Sequence, residues 1–217
     1  MNCKFTSIGD FFQYLNENCT YLILRNWDNL LDSDIYGNGH EDIDLLCNDL
    51  NEFIRLTHAK KIHKYKYCNN YVIEISAKNV RFDVRYIGDG YYPSEWENVM
   101  LKRRQKRGII YTMSDKDYFY SLTYHALLQK PNLTKEYRIK LFSLLEESIG
   151  SNCLSEKLLL DKLKEFIVEN RYVVSIPLDP GVFIKWKYFR YIGYKMDFIR
   201  LLKRLFFNIR FSITSAI

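Results

Sequence analysis

The hydrophobic pattern in the first part of the chain switches between helical and strand spacing. Apolar residues at intervals of three and four predict helices over 7–18 and 49–59. The short apolar run 21–24 is typical of a buried strand, and the polar stretch 27–40, with its glycines and aspartates, indicates a loop. The apolar stripe of the first helix consists of Ile8, Phe11, Phe12 and Leu15.

Strand patterns follow before residue 90. Residues 62–67 and 71–76 predict an antiparallel pair turned at Cys68-Asn69-Asn70, and 79–87 alternates strictly between apolar and charged residues. After this strand, two glycines and a proline predict a loop over 88–93. Ser94 then caps a helix, and the basic stretch 100–108 is interpreted as that helix's solvated end.

Beyond Ser114 the pattern is helical. One helix begins at Ser114 and ends at Pro131, and two more are expected over 135–147 and 155–170, before a strand or extended arm at 171–176. Strands interleaved with helices and then followed by helices alone predict an α/β (α+β) fold. We expect a small mixed sheet with flanking helices and a helical C-terminal region.

Two aspartates one residue apart, Asp42 and Asp44, are the most informative chemical feature. They lie in Asp-Ile-Asp-Leu-Leu, a half-buried strand pattern, so both side chains point to one face. Two neighbouring carboxylates repel each other unless one is protonated or a cation lies between them. Hard oxygen ligands suit Mg²⁺ or Mn²⁺. Because the repulsion is lost, asparagine at either position is expected to leave the fold stable.

A third aspartate, Asp83, alternates with Arg81 and Arg85 on the polar side of the later strand. An aspartate between two arginines is commonly part of a surface strand, where it forms ion pairs with them. With Asp42 and Asp44 it is alternatively a third metal ligand, flanked by guanidinium groups that suit phosphate.

These motifs together resemble the nucleotidyltransferase superfamily, and within it the proteins found with bacterial surface-polysaccharide (capsule and O-antigen) genes. The matching segments are 21–26, 41–46, 81–92 and 117–128, with 177–182 as a further candidate. One departure is that classical members carry a Gly-Ser or Gly-Gly pair before the two aspartates, where backbone N–H groups hold nucleotide phosphates. Here that stretch reads Leu-Ile-Leu-Arg-Asn-Trp, and Arg25 is the candidate replacement.

The resemblance implies a metal-dependent transferase that moves a nucleotidyl, phosphoryl or phospho-alditol group. The donor is phosphorylated or nucleotide-linked, and the acceptor is a hydroxyl of a sugar or glycolipid in cell-surface glycan biosynthesis. Two alternatives remain open, a nucleotidylating toxin or antitoxin and a catalytically inactive ligand-binding module. The implied catalytic residues and metal ligands are Asp42, Asp44 and Asp83, and the implied substrate-binding residues are Arg25, Arg81, Arg85 and His125.

The composition is that of an ordinary globular protein except at the end of the chain. Apolar residues make up 47% and charged residues 27%, as in ordinary globular proteins. The five cysteines have no regular spacing and follow no secretory signal, so we expect reduced thiols in the cytoplasm. The predicted regions are a catalytic core over 1–112, a helical substrate-binding region over 113–184 and a basic amphipathic tail over 185–217.

The tail carries the excess positive charge. Eight of the 32 basic residues but only one of the 26 acidic residues lie within 185–217, although the whole chain has a net charge of +6. Basic residues interleaved with apolar and aromatic ones over 185–210 predict an interfacial helix on the anionic inner face of the membrane. The alternatives are a helix packed on the core and a partner-binding helix. Nucleic acid is a poor fit, because the remaining residues are nearly neutral.

Overall fold

The structure of this chain, a computed structural model, describes residues 4–27, 30, 42–63, 67–149 and 155–214. The strands are β1 Tyr21–Ile23, β2 Ile43–Cys47, β3 Lys60–Lys61, β4 Asn70–Ile75, β5 Lys78–Tyr86, β6 Gln105–Arg107 and β7 Ile110–Thr112. The helices are α1 Ile8–Asn18, α2 Leu50–Thr57, α3 Ser94–Lys102, α4 Asp115–Leu128, α5 Lys135–Ile149, α6 Glu156–Glu169, α7 Trp186–Tyr191 and α8 Phe198–Thr214.

Seven strands among the described residues form one mixed sheet in the order β3-β4-β5-β2-β1-β7-β6. The β2–β5 and β1–β7 pairs are parallel, and the other four pairs are antiparallel. The predicted α/β class is confirmed, with a mixed sheet, flanking helices and a helical C-terminal region. None of the described helices is both long and apolar enough to span a bilayer.

The chain divides into two compact units. The sheet unit comprises Met1–Ile87 and Glu97–Ser114, and the helical unit comprises Gly88–Trp96 and Asp115–Ile217. The predicted division into catalytic core, substrate-binding region and tail stays a prediction. The predicted loop over 27–40 lies mostly outside the described residues.

The core of the sheet unit lies on one face of the sheet, against α1 and α2. The apolar stripe predicted for α1 is confirmed, because Phe11, Phe12 and Leu15 are fully buried there. Ser7 caps α1 by accepting a hydrogen bond from the Asp10 backbone N–H at 3.0 Å. Alternate strand residues complete this core, among them Tyr21, Ile23, Ile43, Leu45, Tyr71, Ile73, Phe82 and Val84.

A two-residue turn joins β4 to β5. Ser76 and Ala77 adopt left-handed conformations with φ of 52° and 59°. Two consecutive positive φ angles are the geometry that matches the twist of a tight hairpin. This turn fixes the register in which Ile75 pairs with Lys78 and Asn70 pairs with Asp83.

In the helical unit, α4 packs against α5, α6 and α7. Trp96 is fully buried in this unit, and its indole N–H donates to the Asp117 carboxylate at 3.0 Å. The short helix α7 belongs to the same core. Its Phe189 is fully buried with its ring centroid 5.8 Å from that of Tyr124, and the Lys185 N–H donates to the Leu128 carbonyl at 2.8 Å.

Several elements differ from their sequence predictions. The partner of β4 is the short β3, which precedes the predicted 62–67 segment, and Asn70 opens β4 instead of closing a turn. The basic stretch after Lys102 enters a β6–β7 hairpin instead of ending a helix. The tail is two helices, α7 and α8, separated by residues 192–197. Of the two alternatives for 171–176, the strand is not formed.

Candidate active site

One face of the sheet carries polar side chains across three neighbouring strands. Asp44 of β2 is in register with Asp83 of β5, which is in register with Asn70 of β4. Side chains in register on neighbouring strands point to the same face, and the strands are about 4.8 Å apart. We call Asp44, Asp83 and Asn70 the polar row. Their strand neighbours on the opposite face, Ile43, Leu45, Phe82 and Val84, belong to the core.

A guanidinium group neutralises Asp44. The Arg25 Nε donates to Asp44 Oδ2 at 3.1 Å, and Nη2 donates to Oδ1 at 2.5 Å. The backbone sets up this pair, since the Leu24 N–H donates to the Asp44 carbonyl at 2.8 Å and holds the chain beside β2. The side chain of Arg25 is only 7% exposed and that of Asp44 is 16% exposed. Two hydrogen bonds in a fork and this degree of burial make a strong ion pair.

A second guanidinium group neutralises Asp83. The Arg85 Nη2 donates to Asp83 Oδ2 at 2.7 Å, and the two side chains are 5% and 15% exposed. Residues two apart on a strand share a face, so the pairing follows from the alternation of β5. Two carboxylates in adjacent register positions would repel each other. Arg25 and Arg85 cancel this charge, and the four groups together are close to neutral.

Asp42 is the exposed member of the predicted triad. The pKa of its carboxyl is raised above its usual value, first because neighbouring groups remove it from water and then because of the negative charge on Asp44. The positive charge on Arg81, which is exposed on β5, acts in the opposite direction. Asp42 therefore senses both Asp44 and Arg81, as residues on the polar side of the sheet do.

The three aspartates fit a divalent cation in their donor chemistry. They supply hard carboxylate oxygens, the ligands that Mg²⁺ and Mn²⁺ prefer. The pKa of Asp42 is raised mainly by its partial removal from water, and the negative charge on Asp44 adds a smaller contribution in the same direction. Among the described residues, however, no three acidic, histidine or cysteine side chains are gathered as a metal-binding group. Asp44 and Asp83 each bind an arginine instead. A cation at this place would therefore compete with both guanidinium groups for the carboxylates.

His125 lies in the helical unit, within a buried hydrogen-bond network. Its Nδ1 is 2.6 Å from the Tyr91 hydroxyl and 3.2 Å from Gln129 Oε1. The Gln129 side-chain amide donates to the Tyr91 carbonyl at 2.7 Å. This network joins α4 to the loop before α3, and the role of His125 in substrate binding stays a prediction.

Sequence reasoning missed Asn70 as a member of this face. The sequence predicts a turn at Cys68-Asn69-Asn70, in which Asn70 belongs to no strand. The signal that identifies it is the register of the β4–β5 hairpin, which places an amide beside Asp83.

Comparison with known proteins does not identify a family for this chain. No family model matches the chain, and no curated protein matches it. The chain is similar to a solution structure of the antibiotic-resistance factor ANT(2'')-Ia. That match covers 74% of this chain and 88% of the other, with 14% identity and a TM-score of 0.41. A match at this level assigns neither a family nor an activity to the chain.

Proposed function

We propose that this protein is a transferase that moves a nucleotidyl, phosphoryl or phospho-alditol group from a phosphorylated donor to a hydroxyl of a sugar acceptor. The biological setting in the proposal is cell-surface glycan biosynthesis, as the sequence resemblance implies. The observation that supports it is the register of Asp44 and Asp83 on two parallel central strands, with an arginine beside each.

In the proposed reaction, the arginines exchange partners. Arg25 and Arg85 move from their carboxylates to the phosphate oxygens of the donor, where their fork geometry matches two oxygens at once. They neutralise the charge that develops on the phosphoryl group during in-line transfer. Arg81, which is exposed beside Asp42, is available to the same anion.

Asp83 is the proposed proton acceptor. Once Arg85 has left it, its carboxylate takes the proton of the acceptor hydroxyl as the new oxygen–phosphorus bond forms and the bond to the leaving group breaks. The carboxylates of Asp42, Asp44 and Asp83 would hold Mg²⁺ or Mn²⁺. Such an ion supplies charge neutralisation for the transferring group when bound.

Partner exchange makes donor and metal binding cooperative. When both arginines turn to a donor phosphate, Asp44 and Asp83 are left as adjacent negative charges, which favours a cation. By linkage, a divalent cation tightens donor binding by the same factor by which the donor tightens cation binding. Either ligand alone would break the ion pairs and leave one set of charges without a partner, which costs free energy.

A thermal-shift screen of nucleotides and of CDP- and UDP-linked donors tests this proposal. A ligand that binds the folded state raises the melting temperature by mass action. We expect a donor with Mg²⁺ to raise it by more than the sum of the two separate effects. Equal shifts with and without Mg²⁺ would contradict the coupled exchange. The absence of any shift across the screen would contradict the proposed donor class.

The arginine pairs also favour a second candidate, a ligand-binding module without catalysis. If Arg25 and Arg85 neutralise Asp44 and Asp83 permanently, the site has no place for a metal. The two candidates differ in Mn²⁺ binding. In the presence of a bound nucleotide, the transferase takes up Mn²⁺ detectable by electron paramagnetic resonance, whereas the module does not.

A further inference from the structure

The C-terminal helix α8 turns its apolar side to solvent. Five large residues are between 48% and 68% exposed, namely Phe198, Ile199, Leu202, Leu205 and Phe206. At 3.6 residues per turn they fall within about a third of the helix circumference. We call them the apolar face. An exposed contiguous patch of this kind marks a surface that binds something.

The opposite side of α8 fixes this orientation through two arginines. The Arg204 Nη1 donates to the carbonyls of Pro177 and Asp179 at 2.6 Å each, and Nη2 donates to the Val182 carbonyl at 2.5 Å. One turn earlier, Arg200 donates to the Asp89 carbonyl at 2.8 Å. We call these two residues the arginine clamp.

The Arg200 Nε also donates to the Ile176 carbonyl, so the clamp ties α8 to two segments of the helical unit. Arg204 is only 6% exposed, and this burial lowers its pKa to about 10. Arg200 and Arg204 therefore point inward, whereas the residues of the apolar face point outward. This is the reverse of a helix that packs on a core.

Charge around the apolar face identifies its partner. Lys195 and Lys203 are exposed, and Lys203 borders the apolar face by helical spacing. The one acidic residue of the segment, Asp197, accepts the Arg200 backbone N–H at 2.9 Å and so serves as a helix cap. A second copy of this chain would bring like charges together at this surface, which is unfavourable, whereas an anionic surface is attracted.

We propose that α8 lies along the surface of a bilayer rich in anionic lipid, with its apolar face buried among the acyl chains. Lys203 and Lys195 would reach the headgroups from the rim, as long basic side chains do at interfaces. The exposed aromatic residues Trp186, at 38%, and Tyr191, at 41%, extend the same type of surface on α7. The inference rests on this surface and is independent of the transferase proposal.

Vesicle co-sedimentation of the full chain tests it. We expect the protein to sediment with vesicles of phosphatidylcholine and phosphatidylglycerol, not with phosphatidylcholine alone. In about 1 M salt, where the Debye length falls to about 3 Å, it is released. The double variant Ile199→Glu/Leu202→Glu should lower the partition coefficient more than about tenfold, since two buried apolar side chains are replaced by charges.

The matched control is Ile139→Glu on α5, whose side chain is 62% exposed and lies outside the apolar face. It should bind anionic vesicles as the wild type does. Lys203→Glu provides a milder variant, expected to weaken binding to anionic vesicles and leave the melting temperature unchanged. Wild-type protein that stays in solution with anionic vesicles at low salt would overturn the proposal. So would equal binding of the double variant and the control.

Sedimentation velocity separates the lipid surface from a second copy. We expect a monomer for both the wild type and the double variant in the absence of vesicles. A wild-type dimer that the double variant converts to a monomer would overturn the proposal in favour of self-association through the apolar face.

Discussion

Arg25 binds Asp44 through two hydrogen bonds, in a pair whose arginine is almost completely buried. The aspartate that the sequence identifies as a metal ligand is thus also the counter-ion of a buried cation. This double role separates Asp44 from Asp42, and it changes what substitutions at the two positions are expected to do.

Arg25→Lys is expected to weaken donor binding or turnover by about 1.5–3 kcal/mol, roughly ten- to a hundredfold, because lysine keeps the charge but not the fork that meets two oxygens. Steady-state kinetics with the donor found by the thermal-shift screen measures this. The control is Arg55→Lys, whose side chain is 71% exposed and pairs only at 3.5 Å with Glu52. Unchanged kinetics in both Arg25→Lys and Arg85→Lys would mean that these arginines only form structural ion pairs and do not bind the donor.

Asp44→Asn is expected to lower the free energy of unfolding by about 2–4 kcal/mol, because it removes the negative charge that the buried Arg25 binds through two hydrogen bonds. This revises the sequence-based expectation that asparagine at either position leaves the fold stable. Urea denaturation of the wild type and the variant gives the difference. If Asp44→Asn proves as stable as the wild type, the ion pair contributes nothing to the free energy of unfolding. That result would favour the role of Asp44 as a metal ligand.

Asp42→Asn is expected to abolish transfer while the protein melts at or above the wild-type temperature at pH 7. The pKa of Asp42 is raised in the folded state, so its stabilising contribution is present below the unfolded pKa of about 3.9 and is lost as the pH rises through the folded value. The stability advantage of the variant should therefore shrink as the pH falls. Melting curves between pH 3 and pH 7 measure it. Most of the wild-type activity remaining in this variant would be incompatible with the proposed site.

Gly90→Ala is expected to destabilise the helical unit by about 2–4 kcal/mol. At Gly90 φ is +85°, and an added Cβ would lie 1.9 Å from Arg200 Nη2 and 2.6 Å from the Ile176 carbonyl oxygen, so the arginine clamp must open. Gly108→Ala is the matched control. It also has a positive φ, of +60°, but its Cβ would meet nothing within 4 Å, so we expect only about 1 kcal/mol. Equal losses in urea denaturation would show that backbone strain alone explains both.

Replacing the turn Ser76-Ala77 by Asn-Gly is expected to stabilise the sheet unit by up to about 1 kcal/mol. Both residues have positive φ, a conformation that Asn and Gly adopt at lower cost than Ser and Ala. The midpoint of urea denaturation should rise without a change in slope. A lower midpoint would mean that the added backbone freedom of glycine outweighs the relief of strain.

Local patterns in the sequence predicted most of the fold and part of the site. The stripe on α1 and the alternation of β5 depend on neighbours a few residues away, so they could be read directly. The β6–β7 hairpin could not, because Gln105, Lys106 and Arg107 are all exposed and show no alternation. The available signal for this hairpin was Gly108, which lies in the turn between β6 and β7.

The pairing of charges was beyond sequence reasoning for a different reason. Arg25 and Asp44 are 19 positions apart, and Arg200 and Arg204 bind backbone carbonyls that no side-chain pattern reveals. The sequence predicted that the cations of the tail face a membrane or water, and two of them instead face the protein. Gly193, which lies within the break between α7 and α8 and has a positive φ, was the sign that the tail is not one helix.

The parallel pairing of β2 with β5 has a consequence for how the protein folds. The β4–β5 hairpin closes through a two-residue turn, whereas Asp44 and Asp83 are brought together from 39 positions apart. Closing the longer loop costs more chain entropy, and parallel pairs form slowly. We therefore expect the hairpin to form early and the β2–β5 pair to close late. The polar row is then expected to be one of the last parts of the molecule to assemble.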